Sequence, residues 1–220
     1  MTVTIQQHIA RTGRYAAIGS AALLMALHAF SPEFDPTWRM ISEYAYGNYG
    51  ILLTLFFLLW GISEWCAVAA LSQVVSGGWS KLALVLLFVS GIGAFMGGLF
   101  DVRHPLHGAA FGIGVPFIPI SALILSYHLV RRNSSLDRSI VWSAHTTWLS
   151  LIAMAVSMAM FITGLKAAGA FHPEAPPQML QMLPAGVPAV TGIPNRLLVL
   201  AYISWTYLAN RAAEKLAETK

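Results

Sequence analysis

Long apolar runs alternate along this chain with short polar interruptions. Crossing a hydrocarbon core of roughly 30 Å takes about 20 mostly apolar residues in helix. Six segments qualify, at about 12–30, 49–75, 81–100, 107–130, 141–167 and 195–213. The first has the shortest uninterrupted apolar stretch. The second is longer than needed and is expected to tilt or project from the bilayer. Pro116 and Pro119 predict a kink in the fourth. No internal repeat divides the chain, so residues 1–220 read as one domain. The expected fold is all-α, a polytopic membrane protein built as a bundle of six transmembrane helices.

Composition agrees with the pattern. Apolar residues make up 57% of the chain and charged residues 10%, with a mean hydropathy of +0.66. Soluble domains carry roughly 25% charged residues, so this chain lacks the polar surface that would coat a globule in water. The net charge of +4 is small and scattered, which argues against a nucleic-acid partner. The basic residues instead set orientation. Nine lie on one side of the predicted spans: Arg11, Arg14, Lys81, Arg131, Arg132, Arg138, Arg211, Lys215 and Lys220. Four lie on the other: Arg39, Arg103, Lys166 and Arg196. Both termini are therefore expected in the cytoplasm, with loops 31–48, 101–106 and 168–194 outside. No A-x-A cleavage signal follows the first run, which predicts a retained helix. The single cysteine, Cys66, excludes an intramolecular disulfide and a cysteine-based metal cluster.

The inward turns SGGWSK (76–81) and RRNSSLDRS (131–139) read as plain connectors. The outward loops are richer. Trp38, Tyr44, Tyr46 and Tyr49 supply amphipathic rings suited to a membrane interface. Six prolines fall between Phe171 and Asn195, and PPQMLQML (176–183) predicts a short interfacial helix or lid.

Polar residues far apart in sequence then share the outward face. These are His28, Ser42, Glu43, Asp101, Arg103, His104, His107, Asn195 and Arg196. Within FDVRHPLHG (100–108), Pro105 suits the first position of the fourth helix, setting His104 near its cap and His107 in its first turn. Asp101, His104 and His107 are donors of the type that hold zinc and related divalent ions. A metal there would activate a water toward an ester or amide at headgroup level. Without a metal, His107 has the chemistry of a general base oriented by Asp101, with Ser42 and Glu43 as neighbouring catalytic candidates. Arg196 and Arg103 suit a phosphate or carboxylate, with His28 and Asn195 as further ligand-binding candidates. The same residue types are also ordinary in a wet turn. Deeper, Glu64 sits in the second helix, roughly 20 Å from its outer end, where an unpaired carboxylate is expensive. His145 is its expected partner, either in a proton relay or as an inter-helix hydrogen bond.

Three stretches also resemble a bacterial six-helix membrane family, the domain of unknown function DUF 998. They are ISEYAYGNYG before the second helix, GGLFDVRHPLHG between the third and fourth, and GIPNRLL opening the last. Asn195 stands where that family has an acid. The resemblance implies six helices in a bacterial cytoplasmic membrane and family-like positions at Ser42, Glu43, Asp101, His107 and Arg196. It implies no reaction. More distantly, a Ser, Asp and His set at one membrane face is similar to the intramembrane zinc hydrolases related to alkaline ceramidases. Those have seven helices and two histidines on the last, whereas the last helix here has none. Two function classes follow. One is a polar outward pocket for a small polar or lipid-headgroup ligand, with metal-assisted hydrolysis as one chemistry it supports. The other is a non-enzymatic accessory subunit or sensor that meets a partner membrane protein through its outward loops.

Overall fold

The computed structural model describes residues 2–171 and 180–218, and all regular structure among them is helical. Seven α-helices follow in order: α1 (Val3–Phe30), α2 (Gly50–Leu71), α3 (Gly78–Leu99), α4 (His107–Gly114), α5 (Phe117–Arg132), α6 (Ser139–Ala167) and α7 (Gly192–Glu218). A short 3-10 helix, Ile41–Tyr46, lies in the connection between α1 and α2. The helices close a ring, in which α1 packs on α2, α2 on α3, α3 on α4 and α5, α5 on α6, α6 on α7, and α7 on α1. Helix α7 also reaches across to α2. Arg11 and Arg14 of α1 pair with Glu214 of α7, so both chain ends lie at one end of the bundle, here the terminal end. Residues 31–48, 101–106 and 180–191 lie at the opposite, loop end.

Among the described residues, four helical stretches are long and apolar enough to cross a membrane: α2, α3, α4 together with α5, and α6. The fourth expected span is thus two helices. The turn falls at Val115 and Pro116, where proline's lack of an N–H and its ring disfavour a continuous helix. Helices α1 and α7, with 28 and 27 residues, are long enough to cross but differ in character. Their buried faces carry polar groups that hydrogen-bond across the bundle. Gln6 Nε2 donates to the Ala70 carbonyl, Ser63 Oγ to the Gly13 carbonyl, and Asn210 Nδ2 to the Ser63 carbonyl, at 3.0, 2.8 and 3.0 Å. A Cβ on Gly13 would lie 2.2 Å from Asn210 Oδ1, so only glycine admits this approach of α1 to α7. These bonds also account for the revised boundaries. Helix α1 begins at residue 3 and not 12 because Gln6 and Ala10 are buried contacts. Helix α7 runs past 213 because Glu214 meets the two arginines.

Small residues set the spacing elsewhere. A Cβ on Gly93 of α3 would lie 2.3 Å from the Gly114 backbone nitrogen, so α3 and α4 touch backbone to backbone. Behind this contact, α4 has no extensive packing against α6. A space remains between them, bounded by α2, α3, α4, α6 and α7.

Candidate functional site

The polar residues of the loop end form two separate groups. The first is a buried knot around Arg196, which is 8% exposed. Its Nε donates to His28 Nε2 at 2.6 Å, and its Nη1 donates to the Arg39 and Gly192 carbonyls at 2.6 and 3.0 Å. Its Nη2 donates to the Tyr44 hydroxyl at 3.2 Å. His28 Nδ1 lies 2.6 Å from the Leu24 carbonyl, which can only accept, so the ring proton is on Nδ1 and Nε2 is the acceptor for arginine. The knot pins the 31–48 connection to the start of α7. Thr191 Oγ1 donates to the Trp38 carbonyl at 2.6 Å, and the Ile41 N–H donates to Asn195 Oδ1 at 2.8 Å. A Cβ on Gly192 would lie 2.3 Å from the Pro36 carbonyl. The sequence suggests Arg196 and His28 as ligand-holding groups; in the fold their hydrogen-bonding atoms are spent on the protein itself. Asn195 likewise gives its side-chain oxygen to the loop.

Glu43 joins this group from the side. It accepts from Arg39 Nη1 at 3.0 Å and from the Met40 N–H at 2.7 Å, the second bond capping its own 3-10 helix. Arg39 stacks on Trp38 at 4.1 Å and donates to the Leu180 carbonyl. The expected lid, residues 176–183, lies partly outside the described residues, and residues 180–183 are not helical.

The second group is the turn 101–107. Arg103 grips Asp101 through its side chain, and its N–H donates to Asp101 Oδ1 at 2.9 Å. This guanidinium holds the Asp101 carboxyl below the usual carboxylate range. His104 stacks on Phe100 at 4.5 Å, and its Nδ1 accepts the Leu106 N–H at 3.1 Å. Pro105 precedes the helix, so His104 lies in the turn and not on the face of α4 that carries His107. His107 Nδ1 lies 2.8 Å from the Phe100 carbonyl. The expected metal set is therefore not assembled. Asp101 is committed to Arg103, the two histidines point to different partners, and among the described residues no three His, Cys, Asp or Glu side chains could share an ion. The expected Asp101–His107 dyad is replaced by a backbone carbonyl orienting His107. That carbonyl fixes the proton on Nδ1 and leaves the Nε2 lone pair without a partner among the described residues.

The site that these residues border is an apolar cavity of about 300 Å³ inside the ring. Ser42, His107 and Asn195 stand at its loop-end mouth. Its walls are Phe57, Gly97 and Ala94 with Val199, Met154 and Met158, and Trp60 and Ser90 are the deepest residues on α2 and α3. Phe111 and Gly108 line it and are exposed, so the cavity reaches the surface along α4. Polar groups thus mark the mouth, and the interior is hydrocarbon. The expected polar pocket is instead a greasy one with a polar rim.

Glu64 lies one helical turn beyond Trp60 on α2 and does not itself line the cavity. It is fully buried, and neither carboxyl oxygen has a hydrogen-bond partner among the described residues. Trp60, one turn away on the same helix face, has a buried indole N–H that is also unpartnered. Ser90 and Trp60 flank the carboxyl without completing a bond to it. His145, the expected partner, sits on α6, which has no extensive packing on α2. Its Nε2 meets the Tyr127 hydroxyl at 3.0 Å and its Nδ1 accepts the Trp148 indole N–H at 2.9 Å. The expected pair does not form. Matching depth in two helices leaves the angle around the bundle undetermined. The cavity walls are not legible in the sequence because they are ordinary apolar residues. The available signals are the acid within a membrane-length helix and the small face Ser90, Gly93, Gly97 at three- and four-residue spacing.

No protein family, curated protein or solved structure matches the chain.

Proposed function

We propose that this is a membrane protein that takes a hydrophobic or amphiphilic molecule from the bilayer into its central cavity. The observation that carries this reading is the cavity itself, which is apolar within, polar at the mouth and open along α4. A dry apolar cavity of about 150 Å³ admits benzene, so about 300 Å³ accepts roughly a dozen carbon atoms. That size is at the lower end of small-molecule sites. In this reading α1 and α7 also span, giving six crossings in a bacterial cytoplasmic membrane. The arginine-rich terminal end faces the cytoplasm, and the cavity opens toward the outer leaflet. The resemblance to DUF 998 is compatible with six crossings and contributes no reaction. A partner protein meeting the outer loops is the alternative class, and the exposed Met182 of the last loop is the feature on its side.

Mass spectrometry of organic extracts from purified protein tests the proposal, together with binding of a fluorescent alkyl-chain probe. Wild type is expected to retain or bind such a molecule, and Ala94→Phe, which fills the wall, to lose it. Equal probe binding by both would refute the reading. A hydrolytic role is a second reading, favoured by His107, whose Nε2 has no partner among the described residues and which lines the cavity together with Ser42. It predicts cleavage of a fluorogenic alkyl ester that His107→Ala abolishes while leaving probe binding intact.

A further inference from the structure

Among the described residues, the side chains on the cavity wall that carry nitrogen or oxygen are Ser42, Trp60, Ser90, His107 and Asn195. Toward the closed end these groups are spent or sealed. Ser90 gives its proton to the Gly114 carbonyl at 2.7 Å, and the Trp60 indole N–H has no exposed surface. The mouth differs. There His107 Nε2, Asn195 Nδ2 and Ser42 Oγ have no partner among the described residues, because His107 uses Nδ1 on the Phe100 carbonyl and Asn195 uses Oδ1 on the Ile41 N–H. All three side chains are half-buried, and none of these three atoms is sealed from solvent. Ser42 and Asn195 are held close together, since Ser42 directly follows the residue whose N–H Asn195 accepts. His107 borders the same space from α4. The polar group of an amphiphile in the cavity therefore finds its reachable partners at the mouth.

We propose that His107, Ser42 and Asn195 bind the carboxyl group of a single-chain fatty acid whose tail fills the cavity. The mouth offers two donors, the Asn195 amide N–H and the Ser42 hydroxyl, and one acceptor, His107 Nε2. A carboxyl group is the complement, because one oxygen accepts while the other carries a proton. That proton stays on the acid or passes to Nε2, and the hydrogen bond between the two persists either way. A ketone or ester only accepts, so it leaves Nε2 unpaired. An ammonium only donates, so it leaves the Asn195 amide unpaired. A phosphate is anionic at neutral pH, and no lysine or arginine among the described residues lines the cavity to balance it. A carboxyl enters uncharged, which spares the cost of bringing an ion into hydrocarbon. Room for roughly a dozen carbon atoms in about 300 Å³ suits one chain of about ten carbons and not a two-chain lipid.

The inference rests on the cavity being a ligand site, and one experiment separates the two. Protein in lipid nanodiscs is incubated with decanoic acid, methyl nonyl ketone or decylamine, and bound adducts are counted by native mass spectrometry. The ketone matches the acid in shape, with a methyl group in place of the hydroxyl, and cannot be hydrolysed. Wild type is expected to prefer the acid over the ketone by about tenfold, the equivalent of one hydrogen bond to His107. His107→Phe, which keeps a ring but no Nε2, is expected to bring that ratio to about one while still binding the ketone. Ser42→Ala, which breaks no bond within the protein, is expected to lower it about threefold. Should His107→Phe bind none of the compounds, Ser42→Ala decides: a reduced ratio supports the carboxyl site and an unchanged ratio overturns it. Equal binding of acid and ketone by wild type, preference for the amine, or an acid preference that survives His107→Phe overturns the carboxyl site and leaves the cavity reading intact. Binding of none of the three by wild type overturns both.

Discussion

Arg196 and Glu64 are both ionisable side chains buried inside a hydrocarbon-rich bundle, yet their surroundings are opposite. Arg196 has four acceptors drawn from α1, the 31–48 connection and α7 itself. Glu64 has none among the described residues. Full satisfaction signals architecture, because every bond made to a neighbouring element would be lost if that element moved. Lack of satisfaction in a buried carboxyl marks bonding capacity that the described residues leave unused. Both are buried ionisable groups; the hydrogen-bond inventory separates them.

The contrast can be broken by mutation. Arg196→Ala is expected to have the largest effect, about 3–5 kcal/mol of lost stability, since it strands buried acceptors on three elements. Thermal or denaturant unfolding in detergent measures it, and Arg196→Lys is expected to recover little because a single ammonium cannot fan out to the same acceptors. Gly192→Ala comes next, at about 1–3 kcal/mol. It pushes the 31–48 connection off α7, which limited proteolysis of that loop would report. Glu64→Leu is expected to leave the unliganded protein unchanged or up to about 2 kcal/mol more stable, because it removes an unpaired polar group. A large loss there would mean that Glu64 has a structural role after all. Asp101→Asn is the smallest, as the Asp101–Arg103 pair is exposed. The arginine holds the folded-state carboxyl below its unfolded value of about 3.9. The pair's contribution is therefore complete above that pH and fades as pH falls through the lower native value. The small difference in Tm between wild type and Asp101→Asn is expected to begin shrinking as pH falls below about 4 and to vanish only below the lower native value.

The apolar pattern locates α2, α3, the α4–α5 pair and α6, because a stretch of about 20 hydrocarbon side chains in a row is at home in few settings besides a bilayer. It also places α1 and α7, but with clipped ends, since the flanking turns of both are polar sequences whose burial depends on each other. Gln6, Arg11 and Glu214 look like surface residues until the partner helix is known. Depth likewise groups His28 with Arg196, which do touch, and Ser42 with His107 and Asn195, which share the cavity mouth. It fails for Glu64 and His145, and for Asp101 with the two histidines. In both cases the missing coordinate is the direction in which each side chain points. Residue types and heights can be read along the chain; orientation comes from packing.

The bonds that hold this molecule together are also a timetable. Arg196 to His28 spans 168 residues, Glu214 to Arg11 spans 203, and Asn210 to Ser63 spans 147. All three wait for α7. A chain emerging from the ribosome can form its first six helices, but the bonds that pin the 31–48 connection to Asn195 and Arg196 wait for the last helix. Helix α7 acts as a keystone. A chain truncated before residue 192 is expected to be degraded, with its early helices formed and the 31–48 connection loosened.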